Sequence, residues 1–267
     1  MFTSVVKFFR TILSRKALIW EMAKRDVVQK YAGSGLGLVW SLIHPLAMIL
    51  IFWFVFGLGL KARPVADVPF VVWLMAGMAI WLSFSEIVSE STTIITNNTH
   101  LIKKILFPSQ ILPVVKIVSA LVTHAIFLVL LLLLMLANGV SLTWGAVQFV
   151  YYYLAMIVLA LGIGWLTAAL NVFTRDVAQA VQVILQIGFW ATPIIWDLSI
   201  MPEFLKPYIK LNPFYYLVQG YRDSFISFRP FWENWQAGVY YWTLALAAVV
   251  VGGVVFQRLK PHFDDLL

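Results

Sequence analysis

Residues Arg25 to Leu60 read RDVVQKYAGSGLGLVWSLIHPLAMILIFWFVFGLGL, and this stretch decides the fold. It starts as a charged, amphipathic helix and passes a hinge at Gly33, Ser34, Gly35 and Gly37. From Gly37 to Leu60 it contains no Asp, Glu, Lys or Arg. A helix over those residues is about 36 Å long, and the hydrocarbon core of a bilayer is about 30 Å thick. A core helix of a soluble protein rarely runs so far without a charge, so the stretch predicts a membrane span.

Upstream, Ser14 to Tyr31 reads as an interfacial helix. Ile19, Trp20, Ala23, Val27 and Tyr31 share one side, with Glu21, Lys24 and Arg25 mostly on the other. Downstream, apolar runs predict further spans at about Phe70–Ser91, Ile111–Ala137, Val147–Val172, Val177–Trp196 and Ala237–Phe256. Pro45 should kink the first span and Pro193 should break the fifth near its end. Asn97, Asn98 or Thr99 can cap a short helix ending before Pro108. Between Asp197 and Gln236, PEFLKPYIKL and PFYYLVQGYRDSF mix apolar and charged residues and are too short and proline-broken to span. They predict a re-entrant or interfacial hairpin. The expected fold is an all-α membrane protein with six transmembrane helices, an N-terminal interfacial helix and an extracytoplasmic hairpin between spans five and six. Its parts are residues 1–36, a transmembrane domain over 37–257 and a tail over 258–267.

Composition agrees: apolar residues make up 62% and charged residues 12% of the chain, against about 25% charged in ordinary globular domains. With no cysteine there is no disulfide framework, thiol nucleophile or Cys-based metal site. The net charge of +7 is accounted for by basic residues on the cytoplasmic side rather than by nucleic acid. With both termini inside, Lys and Arg on the inner side outnumber those outside by about two to one. Lys7, Arg10, Arg15 and Lys16 interrupt the first residues, so no cleavable signal peptide is expected.

No HExxH, GxSxG or GxxxxGK[ST] occurs, and the four His lack metal-ligand spacing. An enzyme with its own ATP site is therefore not expected, and any energy comes from a gradient or a partner. Glu86 and Glu90 stand one turn apart in the second span, where a carboxylate is a functional candidate by default. They suit either a proton relay, as in a proton-coupled secondary transporter, or a structural or conduit-lining role. His44 beside Pro45 is a further polar intrusion, read foremost as an interhelical hydrogen-bonding group. Trp40, Phe52, Trp53, Phe56, Phe189, Trp190 and Trp196 suit either stacking on sugar rings or plain packing and lipid anchoring.

The segments 25–46 (RDVVQKYAGSGLGLVWSLIHPL) and 54–78 (FVFGLGLKARPVADVPFVVWLMAGM) are followed in order by LIKKILFPSQILP, LNVFTRDV, FWATPIIW and LNPFYYLVQGYRDSF. Together they resemble the ABC-2 type permeases that export surface polysaccharides. VFGLG…VPFV.WL is most similar to the wall teichoic acid branch, and the other motifs are shared with O-antigen and capsule permeases. The resemblance implies a homodimer in the cytoplasmic membrane with two separate ATP-binding subunits that bind ATP and Mg. The cargo it implies is a polymer linked to undecaprenyl pyrophosphate. A pyrophosphate would enter at Lys24, Arg25, Lys30 and Tyr31, where the three cations suit ordinary positive-inside placement equally well, and the implied conduit along the first and fifth spans would carry Trp40, His44, Phe52, Phe56, Phe189 and Trp190. A coupling helix would carry Leu101, Ile102, Lys103, Lys104, Ile105 and Leu106. An outer gate would carry Tyr215, Tyr216, Tyr221 and Arg222, placed to meet the emerging polymer. Arg175 and Asp176 occupy the family's FRD-like loop, here FTRD. No cofactor or metal in this chain is implied. A membrane glycosyltransferase or lone flippase would need a carboxylate-rich catalytic loop, and none is present.

Overall fold

The structure is a computed structural model that describes residues 12, 14–31, 39–59, 68–103 and 107–267, with all their side chains except Tyr31, Ser41, Leu42, His44, Asp264 and Asp265. The main helices are α1 (Lys16–Tyr31), α2 (Val39–Phe52), α3 (Phe70–Asn97), α4 (Leu112–Ala137), α5 (Phe149–Phe173), α6 (Asp176–Ala191), α7 (Pro213–Arg222) and α8 (Trp235–Leu259). α2 runs through Pro45 and continues as a wider π-helical segment, Trp53–Gly59. Among the described residues, four helices are long and apolar enough to cross a membrane: Phe70–Asn97, Ser109–Ala137, Trp144–Phe173 and Phe231–His262.

α3 is the centre of the bundle, touched by α4, α5, α6 and α7. Its sequence is apolar nearly all round, as burial on every side requires, and Val72, Leu74, Met75, Ala76, Met78 and Ala79 have no exposed surface. It runs beyond the expected end at Ser91, because its polar lower part stays packed in the bundle: Thr92 donates to Thr167 of α5 at 2.9 Å, and Ser91 lies buried against Gly164 of α5. Asn98 closes it: its amide Nδ2 donates to the Ile94 carbonyl at 2.8 Å. Asn98 therefore serves the end of α3, and the short turn Thr99–Ile102 that follows has no side-chain cap.

The sequence predicts six full-length spans; among the described residues four helices reach that length, α2 falls short of it, and so does α6. It holds 16 residues, about 24 Å of helix, and stops at Ala191. Pro193 pushes Thr192 to an extended backbone (φ −96°, ψ 137°), as the residue before a proline prefers. α1 differs on one face only. Ile19 and Ala23 are buried against Ile111 and Val115 of the α4 entry, whereas Trp20 is 57% exposed. The helix thus leans on α4 through the narrower Ile19–Ala23 stripe.

α5 and α8 approach most closely at two glycines. A Cβ at Gly252 would lie 2.0 Å from the Gly162 carbonyl oxygen, and one at Gly162 2.4 Å from the Ala248 backbone. Small residues let membrane helices touch backbone to backbone, where dispersion replaces the missing hydrophobic drive. Gly252→Ala should therefore cost about 1–3 kcal/mol of overpacking. The thermal midpoint of detergent-solubilised protein checks this, and a midpoint equal to that of the unaltered chain would contradict the close contact.

Candidate functional site

At one end of the bundle, five charged side chains join three helices. On α1, Asp26 and Lys30 are one turn apart; on α3, Glu86 and Glu90 repeat that spacing, so each pair shares a face. Lys30 Nζ donates to Glu90 Oε1 at 2.9 Å and also to Glu86 Oε1. Lys116 Nζ on α4 donates to Asp26 Oδ1 at 2.6 Å and lies 3.0 Å from Glu90 Oε2. Thr123 donates to Glu86 Oε1 at 3.2 Å. Glu90 is the hub, since one oxygen meets the lysine of α1 and the other the lysine of α4. Such a cluster ties a helix at the rim to two long ones.

The electrostatics keep Lys30 charged. Burial alone would lower the Lys30 pKa, but the charges and hydrogen bonds of Glu86 and then Glu90 outweigh it and hold it above the ordinary 10.5. A raised lysine contributes stability that is complete below its ordinary pKa and fades only as pH climbs through the raised one. Lys30 thus holds through the physiological range. With Glu86 and Glu90 both taken up by lysines, the geometry suits a structural clasp better than a proton relay.

Beside the clasp a cavity of about 260 Å³ opens between α1, the end of α3 and the entry to α4. Arg25, Asp26, Gln29, Asn98 and His100 give it polar walls, and Met22, Ile94, Leu101 and Phe107 apolar ones. Of the residues expected at an entry site, Arg25 lines this cavity and Lys30 sits in the clasp. Lys24 pairs with Glu21 at 2.7 Å on the surface. The side chain of Tyr31 lies outside the described residues.

The residues expected on a coupling helix divide. Ile102 is buried with Ile94, Ile95 and Leu112, so its apolar face is used within the chain. Leu101 is half-buried at the cavity, and Lys103 is exposed. Lys104, Ile105 and Leu106 lie outside the described residues. Arg175 and Asp176 are exposed in the turn between α5 and α6.

The aromatic set also divides. Phe52 and Phe189 stack at 5.6 Å between ring centres, and Trp81 lies 6.1 Å from Phe189, so these rings join α2, α6 and α3. Phe56 is half-buried beside Phe52. Trp40 and Trp190 remain exposed. The His44 side chain lies outside the described residues.

At the other end, the chain between α6 and α8 folds into the bundle. Asn212 caps α7 by accepting from the Phe214 amide at 3.0 Å, with Pro213 in the first turn. Gly220 permits a deep seat, since a Cβ there would lie 2.1 Å from the Tyr152 ring. Tyr221 bonds His124 of α4 at 3.0 Å, and that imidazole stacks on Tyr153. Arg222 donates to the carbonyls of Pro193 and Ile194 at 2.7 and 2.8 Å, and its guanidinium lies 3.3 Å above the Trp73 ring centre. Tyr216, Tyr221 and Arg222 therefore point into the chain and cannot meet a passing polymer in this arrangement. Only Tyr215 of the four is half-exposed.

The sequence patterns alone assign no role to Asp26, Lys116 and His124. Lys116 carries a usable signal: a lysine one turn into a span needs an opposite charge at its depth, and Glu90 is the candidate nearest the same rim.

A family model of the ABC-2 type transporter matches residues 17–226. The chain belongs to this family. The matched range of the ABC-2 domain runs from α1 through α7, and so contains both the clasp and the Arg222 anchor. With its long apolar helices, this ABC-2 chain is a membrane-embedded, multi-pass protein. It is 28% identical over 227 residues to the O-antigen export system permease protein RfbA of Myxococcus xanthus, covering 84% of this chain and 86% of the relative. An RfbA of Klebsiella pneumoniae is 26% identical over 94% of this chain and 95% of its own length. The polysialic acid transport protein KpsM of Escherichia coli is 22% identical over 79% and 81%.

Proposed function

We propose that this chain is the membrane subunit of an ATP-driven exporter of a lipid-linked surface polysaccharide in the cytoplasmic membrane. The near end-to-end similarity to a protein named as an O-antigen export permease carries the reading. The chain has no P-loop, so ATP and Mg are bound by a separate ATP-binding subunit, a pair of which serves a homodimer of this chain. α2 and α6 complete the six spans alongside the four long helices, both termini lie in the cytoplasm, and α7 with its flanks forms the outer gate. In this reading residues 1–36 form the N-terminal region with its interfacial helix, 37–257 the transmembrane domain and 258–267 a cytoplasmic tail. The exposed Lys103 marks the surface on which the ATP-binding subunit docks.

The substrate enters at the α1 end. A pyrophosphate needs cationic donors at the membrane surface, and its lipid needs apolar walls beside them. The cavity between α1 and α3, lined by Arg25 together with Met22, Ile94 and Phe107, supplies both. The relatives support an O-antigen or capsule-type cargo. Wall teichoic acid is supported by residues 55–74 alone, and either polymer fits a cavity that reads the lipid cap.

The test is co-purification of the complex, followed by mass spectrometry of bound lipid and bound proteins. A P-loop ATPase and a glycan-linked polyprenyl pyrophosphate are expected. Recovery of neither would overturn the proposal, and the sugar composition separates the polymer classes. Arg25→Gln should weaken stimulation of ATP hydrolysis by that lipid about tenfold, as loss of a charge-assisted hydrogen bond implies. Unchanged stimulation would remove Arg25 from the entry site.

A further inference from the structure

α6 carries a feature that a helix facing lipid alone would not tolerate. Gln179, Gln182 and Gln186 lie within about 60° of one another on its wheel, and all three are exposed. They border the face that packs on α3 through Val181, Leu185 and Phe189. The rest of the exposed arc is apolar: Val183, Ile184, Ile187 and Trp190. Gln182 Nε2 donates to Ser89 Oγ of α3 at 2.5 Å. Ser89 lies between Glu86 and Glu90, so the amides continue a polar track that begins at the clasp. One turn away from Ser89 on α3 stand Ser85 and Thr93, both half-buried. The track therefore changes from charged at the clasp to neutral amide and hydroxyl along α6.

From this placement we propose that Gln179, Gln182 and Gln186 form a neutral hydrogen-bonding rail for the hydroxyl groups of the polymer in transit. The proposal rests on the export reading. Each glutamine offers two N–H donors and a carbonyl with two lone pairs, a good match to neighbouring sugar hydroxyls. In hydrocarbon the same groups would be unsatisfied at a cost no apolar helix needs to carry. The stripe holds no formal charge, so it grips no phosphate or carboxylate and lets a chain slide by exchange of similar hydrogen bonds.

The absence of cysteine in the chain makes the test clean. Single variants Gln182→Cys and, on the exposed apolar face of α8, Val250→Cys are prepared in the complex with its ATP-binding subunit and treated with 2-sulfonatoethyl methanethiosulfonate. Gln182→Cys should react about tenfold faster or more, because a thiol reacts as the thiolate, which needs water. Its labelling should slow in cells that are making the polymer. The triple Gln→Leu variant should insert at the usual level, since leucine suits a membrane helix, yet export about tenfold less polymer, as loss of one or two hydrogen bonds per step implies. The triple Gln→Asn variant should recover most of the export. An unreactive Gln182→Cys, a disulfide joining Gln182→Cys of two copies, or normal export by the leucine variant would each overturn the rail. Failure of the unaltered complex to export any glycan would overturn the export reading itself, whatever the labelling shows.

Discussion

Arg222→Met is expected to release α7 from the end of α6 and to leave the complex leaky to small ions. The side chain joins three elements at one point: it caps the carbonyls of Pro193 and Ile194, covers Trp73 of α3 and belongs to α7. Those carbonyls follow the C-terminus of α6, where the helix dipole and the unpaired backbone oxygens both attract a cation. Methionine fills much of the volume but donates nothing, so two buried acceptors lose their partner at about 1–3 kcal/mol each. Relief from desolvating the guanidinium offsets part of this, leaving a net loss of about 2–4 kcal/mol. Arg222→Lys should recover little, because one ammonium cannot bridge two carbonyls and lie flat on the Trp73 ring. Ion flux through liposomes holding the complex without substrate is the measurement. A methionine variant as tight and as thermally stable as the unaltered complex would show that Arg222 does not anchor the gate.

The spans are legible in the sequence because few structures besides a membrane span call for an apolar run of that length. α3, α4, α5 and α8 lie where their runs predict, with ends that shift by at most six residues. The end of α6 is only half legible: Pro193 signals a break, but whether the helix resumes toward Trp196 depends on what receives the freed carbonyls, and Arg222 stands 29 positions away. The gate residues are legible as a segment and not as orientations. Tyr221 and Arg222 look suited to a glycan in sequence, yet Gly220 lets their helix sink against Tyr152, which turns them inward. The apolar face of α1 illustrates the same limit. Of the residues that share it on a wheel, Ile19 and Ala23 are buried on the narrow entry of α4, Val27 is half-buried and Trp20 stays exposed. Periodicity gives a face, and the neighbour decides which part of that face is used.

Glu90→Gln should loosen the clasp more than neutralising either of its other carboxylates. Glu90 is the one carboxylate that meets both lysines, at 2.9 Å from Lys30 and 3.0 Å from Lys116. Glu86→Gln leaves Lys116 with both its partners, and Asp26→Asn leaves Lys30 with both of its own, so each of those changes weakens one lysine only. Glu90→Gln instead leaves two part-buried ammoniums sharing Asp26 and Glu86 at opposite ends of the cluster. Coupling between Glu90→Gln and Lys116→Met in a double-mutant cycle should come to about 0.5–3 kcal/mol, the range for neighbours in one ion-pair network. No pairwise charge swap should restore the fit. A lysine at position 90 would face Lys30, and a glutamate at position 116 would face Asp26. The direct readout is the distance between spin labels at Trp20→Cys on α1 and Val129→Cys on α4, both exposed positions. A narrow distribution is expected for the intact clasp and a broad one for Glu90→Gln. Because α1 walls the cavity proposed to take the lipid cap, the same substitution should lower lipid-stimulated ATP hydrolysis. An unchanged distance distribution, with additive effects in the cycle, would mean that packing of Ile19 and Ala23 alone holds α1 and that the clasp is incidental.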